Sequence, residues 1–308
     1  MSMSGDADRQ LPRGDEIFLD HLAHFVDDAQ AAGRALARAG FAPTPLSIQS
    51  NPDPRGGPPR PTGTGNITTM FRCGYVEVLF KTSDTPIARE LDAALGRYPG
   101  LHLAAFAVAD AAAAHARLGT SGFRTRPLVH MQRPVDTESG PAVAAFTIAR
   151  VEPGVMPEGR IQILTHRTEQ AVWQPRWLDH PNGALALTEV VIAVADGEEA
   201  ARRFARFTDR SAAANPGGRA VVLDRGRVQL MDATALAAML PEVAVPALPF
   251  IGAYALVVAS LDQAEQALRA GGVAARRAGS MLIAMFPPEL GRGAWMFVET
   301  ASALPWRT

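Results

Sequence analysis

Two histidines, His21 and His24, stand three residues apart in the stretch FLDHLAHFVDD. Paired imidazoles can hold a metal or relay a proton. The stretch reads as a strand, however, and on a strand residues at i and i+3 face opposite sides. His21 and His24 therefore cannot both serve one site unless the strand is irregular, and His24 is expected to face away as a hydrogen-bonded core residue. Cys73 is the only cysteine, which excludes an intrachain disulfide and any CxxC site, and it reads as a small buried hydrophobe. Gly63-Thr64-Gly65-Asn66 lacks the helix N-terminus that a phosphate cradle needs. A tight turn is predicted there, with Asn66 directed inward as a candidate substrate contact. Arg133, in HMQRPVD, is a candidate partner for a ligand carboxylate, the alternative being a solvated arginine. No Ser-His-Asp pattern, P-loop or G-x-G-x-x-G motif occurs.

The elements that must position these residues form an internal repeat. Its four copies are LDHLAHFVDDAQAAGRALARAGF, LHLAAFAVADAAAAHARLGTSGF, ALTEVVIAVADGEEAARRFARFTD and AYALVVASLDQAEQALRAGGV. Each is an apolar strand, an aspartate, then a helix with apolar residues at helical spacing. Asp28, Asp110, Asp196 and Asp262 are expected to be helix N-caps. Further strands follow each helix, ending in CGYVEVLF, EGRIQILT, RGRVQLMD and RGAWMFVE. The unit is therefore βαβββ. One such unit leaves a sheet face uncovered, and pairing two closes a cup that buries apolar surface and makes a pocket. The expected fold class is α+β, with four βαβββ modules paired into two cupped-sheet domains.

The boundaries that follow are a disordered N-terminus at 1–16, a first domain at 17–170 and a linker at 171–184. A second domain spans 185–300, followed by a tail at 301–308. The Pro/Gly-rich stretch IQSNPDPRGGPPRPTGTGN predicts a loop over 48–66, either an excursion or a lid. His166, Trp173, Trp177 and His180 lie where the two domains meet and read as junction packing.

Thirty basic residues against thirty-one acidic ones give a net charge of −1, so there is no electrostatic footprint for nucleic acid or an acidic membrane. The N-terminal segment is polar, and the longest apolar run, ALPFIGAYALVVASL, is too short to span a bilayer. A soluble, cytoplasmic protein with a small-molecule partner is expected, with a homodimer as its candidate assembly.

Paired βαβββ units with LDH on the first strand and YVEV on the last resemble the vicinal oxygen chelate superfamily. LDHLAHFVDD, GTGNITTMFRCGYVEVL and THRTEQAVWQPRWLDHPNGAL are similar to its glyoxalase-like bacterial proteins. The resemblance covers roughly residues 17–300. It implies that ligands come from the first and last strands of the units facing one cup. Counting back seven from each cap aspartate places His21 opposite Leu103, Glu189 and Ala255 in the other copies. Glu77 then corresponds to Gln162, to Gln229 and to either Met296 or Glu299.

The first cup thus offers His21, Glu77 and Gln162 as a three-ligand metal set, with Glu77 also the candidate catalytic base. His102 is one residue out of register and would need a bulge to enter the cup. The second cup offers Glu189 and Gln229 and no histidine, so it is expected to be structural. The implied cofactor is either a divalent metal (Fe, Mn, Zn, Ni or Co) or none. With a metal, the resemblance implies lyase or isomerase chemistry on vicinal oxygens. Without one, it implies a binding protein of the bleomycin-resistance type. Extradiol cleavage is disfavoured, because Glu189 and Ala255 stand where that group places its second-cup ligands.

Overall fold

The computed structural model describes residues 9–53 and 55–307. In the first half, β1 (Ile17–Phe25), α1 (Ala29–Arg38), β2 (Ser47–Asn51), β3 (Arg60–Met70) and β4 (Tyr75–Lys81) lead through α2 (Pro86–Leu95) to a second run of the same order. That run is β5 (Gly100–Val108), α3 (Ala111–Thr120), β6 (Val129–Thr137), β7 (Gly140–Arg150) and β8 (Arg160–His166). A short connection follows, with α4 (Glu169–Val172) and a 3-10 turn (Pro175–Trp177). The second half repeats the order. It has β9 (Ala184–Ala193), α5 (Gly197–Thr208), β10 (Ala212–Asn215), β11 (Gly218–Val222), β12 (Arg227–Met231) and the linking α6 (Ala233–Met239). It closes with β13 (Phe250–Val258), α7 (Leu261–Ala270), β14 (Ala275–Ala278), β15 (Met281–Met285) and β16 (Ala294–Val298).

Among the described residues the strands form one hydrogen-bonded network of mixed α+β architecture. In the first half the order β1-β4-β3-β2-β6-β7-β8-β5 returns to β1, so the strands enclose an interior. The pair Ser50–Gln132 joins β2 to β6. In the second half β9 pairs with β13, and β12-β11-β10 and β16-β15-β14 extend from them on either side. The halves meet where Ile251 of β13 pairs with Leu101 of β5.

The helices form for the reasons their sequences announce. Ala29, Ala32, Ala35 and Leu36 of α1 are buried on one face, an i, i+3, i+6, i+7 stripe. Asp28, Asp110 and Asp196 accept backbone N–H bonds at the starts of α1, α3 and α5. The Gly-Phe ending is a left-handed C-cap. Gly40 has φ +78°, and Phe41 N–H reaches back to Leu36 O at 3.1 Å. At the end of α5, Asp209 takes the left-handed conformation with φ 57°.

Four sequence expectations need correction. The cap of α7 is Ser260, whose hydroxyl accepts from Gln263 N, while Asp262 lies inside the first turn and pairs with Arg277. The count of seven in the fourth copy therefore starts at Ser260 and reaches Ala253. Strand pairing agrees: His21 lies beside Tyr75, Leu103 beside Arg160, Glu189 beside Arg227 and Ala253 beside Ala294. Two residues past Ala294 comes Met296, which excludes Glu299; Glu299 instead accepts from Leu261 N.

The expected 48–66 loop is mostly the β2–β3 hairpin, with only its tip irregular. Thr62 and Thr64 suit a strand, and Pro61 sits where a register shift interrupts the ladder, so its missing N–H costs little. Gly63-Thr64-Gly65-Asn66 accordingly lies within β3 and is not a turn.

Of the segment expected to be disordered, residues 1–8 lie outside the described residues. Residues 9–16 are held by Arg9–Glu16 and by Arg225, which donates to the carbonyls of Arg9 and Gln10. No helix among the described residues is long and apolar enough to cross a membrane.

Candidate functional site

His21 projects into the interior of the first half, stacked on Tyr75 with ring centroids 4.4 Å apart. Its neighbour Asp20 is the extra residue of a β-bulge between β1 and β5, where the register steps from Leu19–Phe106 to His21–Ala105. A bulge frees adjacent side chains from strict alternation. Asp20 Oδ2 is thereby 2.7 Å from His21 Nδ1, and Oδ1 is 2.9 Å from His166 Nε2. This contact fixes the imidazole so that Nε2 faces Glu77, 3.8 Å from Oε2. Neither Asp20 nor His166 was assigned to the site from sequence. Adjacency to His21 hid the first, and position at the very end of β8, next to the domain junction, hid the second.

Glu77 comes from β4, two residues beyond Tyr75 on the same face. Its Oε1 accepts from Asn66 Nδ2 at 2.6 Å, a diagonal contact across the β3–β4 pair. Oδ1 of Asn66 is buried and has no hydrogen-bond partner among the described residues. Gln162, on β8, accepts from Arg150 Nε at 3.0 Å across the β7–β8 pair.

Arg133 of β6 also faces this interior and is only 6% exposed. Its guanidinium makes no hydrogen bond or ion pair with the described residues. Burial lowers its pKa, while the nearby Tyr75 and Glu77 act in the opposite direction. Burial, reinforced by Asp20 and Glu77, pushes the Tyr75 hydroxyl well above its ordinary value. The structure thus brings His21, Glu77, Gln162, Asn66 and Arg133 around one void, with Arg150 and Arg160 completing its wall. The void measures about 20 Å³, room for a single water. Arg133 also lines an adjoining cleft of about 320 Å³ that opens beside Trp177.

These donors do not fit a divalent cation as arranged. His21 and Glu77 supply two donors, but the oxygen of Gln162 is engaged by Arg150, and Leu103 occupies the fourth position. Among the described residues no cluster of three His, Cys, Asp or Glu side chains could hold a metal. With Arg160 paired to Glu90, Arg133 and Arg150 face the single carboxylate of Glu77, which favours anions over cations in the void.

The remaining candidates fall elsewhere. His24 is fully buried on the opposite side of β1, with Nδ1 2.8 Å from Leu290 O and its ring edge-on to Phe286. A bulge does occur at His102, where pairing skips from Leu103 to Leu101. The ring nevertheless stacks on Tyr98 at 4.1 Å and bonds the Tyr98 carbonyl, outside the cup. His180 serves the junction by accepting from Ala42 N and bonding Met70 O. His166 belongs to the cup instead, against Trp173 at 4.6 Å.

In the second cup Glu189 is buried and binds the chain's own C-terminal segment. Trp306 Nε1 and Arg307 Nε donate to its two oxygens, and Arg307 also reaches Thr188 Oγ1 at 3.1 Å. Gln229 pairs with Asn215 at 2.8 Å. The segment 301–307 therefore fills this cup.

Residues 19–208 match the family model described as "Glyoxalase-like domain". No curated protein sequence matches the chain. Among solved structures, a hypothetical protein from Staphylococcus aureus aligns with TM-score 0.58 at 11% identity, over 91% of this chain and 98% of its own. A mutant of 4-hydroxymandelate synthase from Streptomyces coelicolor aligns with TM-score 0.56 at 14% identity, over 92% of both chains. An Mn(II)-bound glyoxalase from Novosphingobium aromaticivorans aligns with TM-score 0.51 at 12% identity, over 94% and 83%. At these identities the likeness is one of fold.

Proposed function

The chain belongs to the glyoxalase-like domain family of the vicinal oxygen chelate superfamily, and from that premise we propose that its first cup binds a small hydroxy acid without a metal. The observation that carries this reading is Arg133, a buried guanidinium with no partner among the described residues. A buried charge left unpaired is costly, and a carboxylate arriving at Arg133 would remove that cost. The unpartnered Oδ1 of Asn66 would accept from the hydroxyl beside the acid group. Entry is from the cleft that shares Arg133, with the flexible Met131 moving aside to enlarge the void.

A second reading is enzymatic. Asp20 orients His21 so that Nε2 faces Glu77. In that setting Glu77 would take a proton from the carbon bearing the hydroxyl, and His21 would exchange one with an adjacent oxygen. This is isomerase or lyase chemistry on vicinal oxygens carried by the chain's own acid and base.

Calorimetric titration of EDTA-dialysed protein with glycolate and lactate tests the first reading. Binding that Arg133→Met weakens at least ten-fold supports it. Binding that appears only after Mn²⁺ is added overturns it. Deuterium incorporation at the carbon bearing the hydroxyl in D₂O, lost in Glu77→Gln, selects the enzymatic reading over simple sequestration.

A further inference from the structure

We propose that a second cavity, outside the cup, binds an amphipathic organic acid: an anionic head, carboxylate or phosphate monoester, on a short apolar body. The cavity measures about 530 Å³ and lies between the C-terminal end of α2, the β7–β8 connection and the loop before β13. That volume is in the range of sites for small organic ligands. Arg150 and Arg160 line both this cavity and the void of the first cup, while Arg133 lines only the latter, so a change at Arg133 separates the two readings.

Charge is concentrated at one end. Arg97, Arg126, Arg150 and Arg160 line the cavity against only two carboxylates, Glu90 and Glu152. Glu90 is shared between Arg126 at 2.7 Å and Arg160 at 3.2 Å. Glu152 is drawn off by Arg124, which it meets at 3.1 Å. Arg97 donates to two backbone carbonyls, of Pro157 and Pro249, and so carries its charge without a counterion there.

Arg150 is the decisive residue. It is 8% exposed, and its only hydrogen bond to the described residues runs from Nε to Gln162. Its two terminal amino groups meet no partner among the described residues. Burial first, then the neighbouring charges of Arg160 and Arg126, push it down to about 9 from the ordinary guanidinium value. A guanidinium so placed, beside two others, is a receptor for an oxyanion that can bridge them.

The rest of the wall is apolar. Phe25, Ala94, Met156 and Leu248 face the same space. An inorganic anion would leave that surface against water, whereas a short alkyl or aryl body would cover it. The shape therefore calls for a head and a body together.

Octanoate, octyl phosphate and inorganic phosphate serve as probes in calorimetric titrations at low salt. At least one amphipathic probe is expected to bind in the micromolar range, with inorganic phosphate at least ten-fold weaker. Arg126→Gln, at a partly exposed position, should weaken the amphipathic probe five-fold or more. Ala94→Trp, which fills the cavity from the surface of α2, should abolish binding, with an unchanged melting temperature showing that the fold is intact. Arg133→Met, in the cup, should leave binding as it was. The assignment is overturned if neither amphipathic probe binds at millimolar concentration. It is equally overturned if inorganic phosphate binds as tightly, if Ala94→Trp still binds, or if Arg133→Met abolishes binding and so locates the probe in the cup. Which of octanoate and octyl phosphate binds more tightly identifies the head group.

Discussion

Nε2 of His166 lies 2.9 Å from Oδ1 of Asp20, although 146 positions separate the two residues. The pair ties the last strand of the first half to its first strand, and the other oxygen of Asp20 holds His21 in place. Burial alone would raise the Asp20 carboxyl. The charge and hydrogen bond of His166, with the hydrogen bond from His21, overcome burial and hold it well below the usual carboxylate range.

A carboxylate whose pKa is depressed on folding stabilises the fold above its unfolded value of about 3.9, and that stabilisation is lost as pH falls further. Asp20→Asn is therefore expected to cost on the order of 3–5 kcal/mol at pH 7, as breaking a buried pair does. The difference from the parent should shrink below about pH 4. Urea unfolding at pH 7 and pH 3 checks this, and a difference that does not change with pH would count against it.

His24 titrates with the opposite consequence. Its burial lowers the imidazole to about 4 from an ordinary 6.5, with the Leu290 carbonyl only partly offsetting the effect. The unfolded chain then binds the proton first, so stability falls as pH drops from about 6.5 toward 4, by roughly 3 kcal/mol in total. His24→Gln should remove about one proton from the slope of stability against pH in that window. Thermal melts at half-unit pH steps measure the slope.

Arg133→Met gives a contrasting expectation. Replacing a buried, unpartnered charge by an apolar side chain of similar length is expected to leave the melting temperature unchanged or raised, while ligand binding falls. A large drop in melting temperature would show that the guanidinium has a structural partner.

The C-terminal segment supplies the next expectation. Ending the chain at Ala303 removes Trp306 and Arg307 and leaves Glu189 buried without its two donors. The expected loss is on the order of 3–5 kcal/mol. Glu189→Leu in the shortened chain should recover only part of it, since the buried carboxylate is gone but Arg227, 3.8 Å away, loses its counterion. Denaturant midpoints of the three proteins decide the matter.

Gly271 marks a close approach between helices. A Cβ there would fall 1.6 Å from the carbonyl oxygen of Arg38 at the end of α1. Gly271→Ala is expected to destabilise by about 1–3 kcal/mol through the forced backbone shift. The melting temperature of this single variant is the check.

How much of this could be read from the chain depends on which signals repeat. The strand–aspartate–helix–Gly-Phe pattern announced the order of elements, because capping and apolar periodicity are local. It failed in the fourth copy, where the cap passes from aspartate to Ser260 and the counted register slipped by two residues. Composition misled at 48–66, where prolines outweighed the alternating Thr62 and Thr64 that make a strand. His21, Glu77 and Asn66 were legible because each keeps the inward face of its strand, His21 despite the bulge beside it. Asp20 was not, because a bulge is set by the partner strand and leaves no mark in its own sequence. Arg133 was a candidate ligand contact by its residue type, but its burial, like that of Arg150, was not legible. Their burial depends on strands from the same half meeting around one interior.

β13 pairs with β9 along its length and touches β5 at Ile251, while β5 pairs in turn with β1. The first strands of all four repeats thus run side by side through the middle of the molecule. The outer edges of the second half lie at β10 and β14, away from this seam, so heat should meet one cooperative unit. Amides of β1 and β9 should then exchange with solvent at one shared, global rate, however little the two cups have in common chemically.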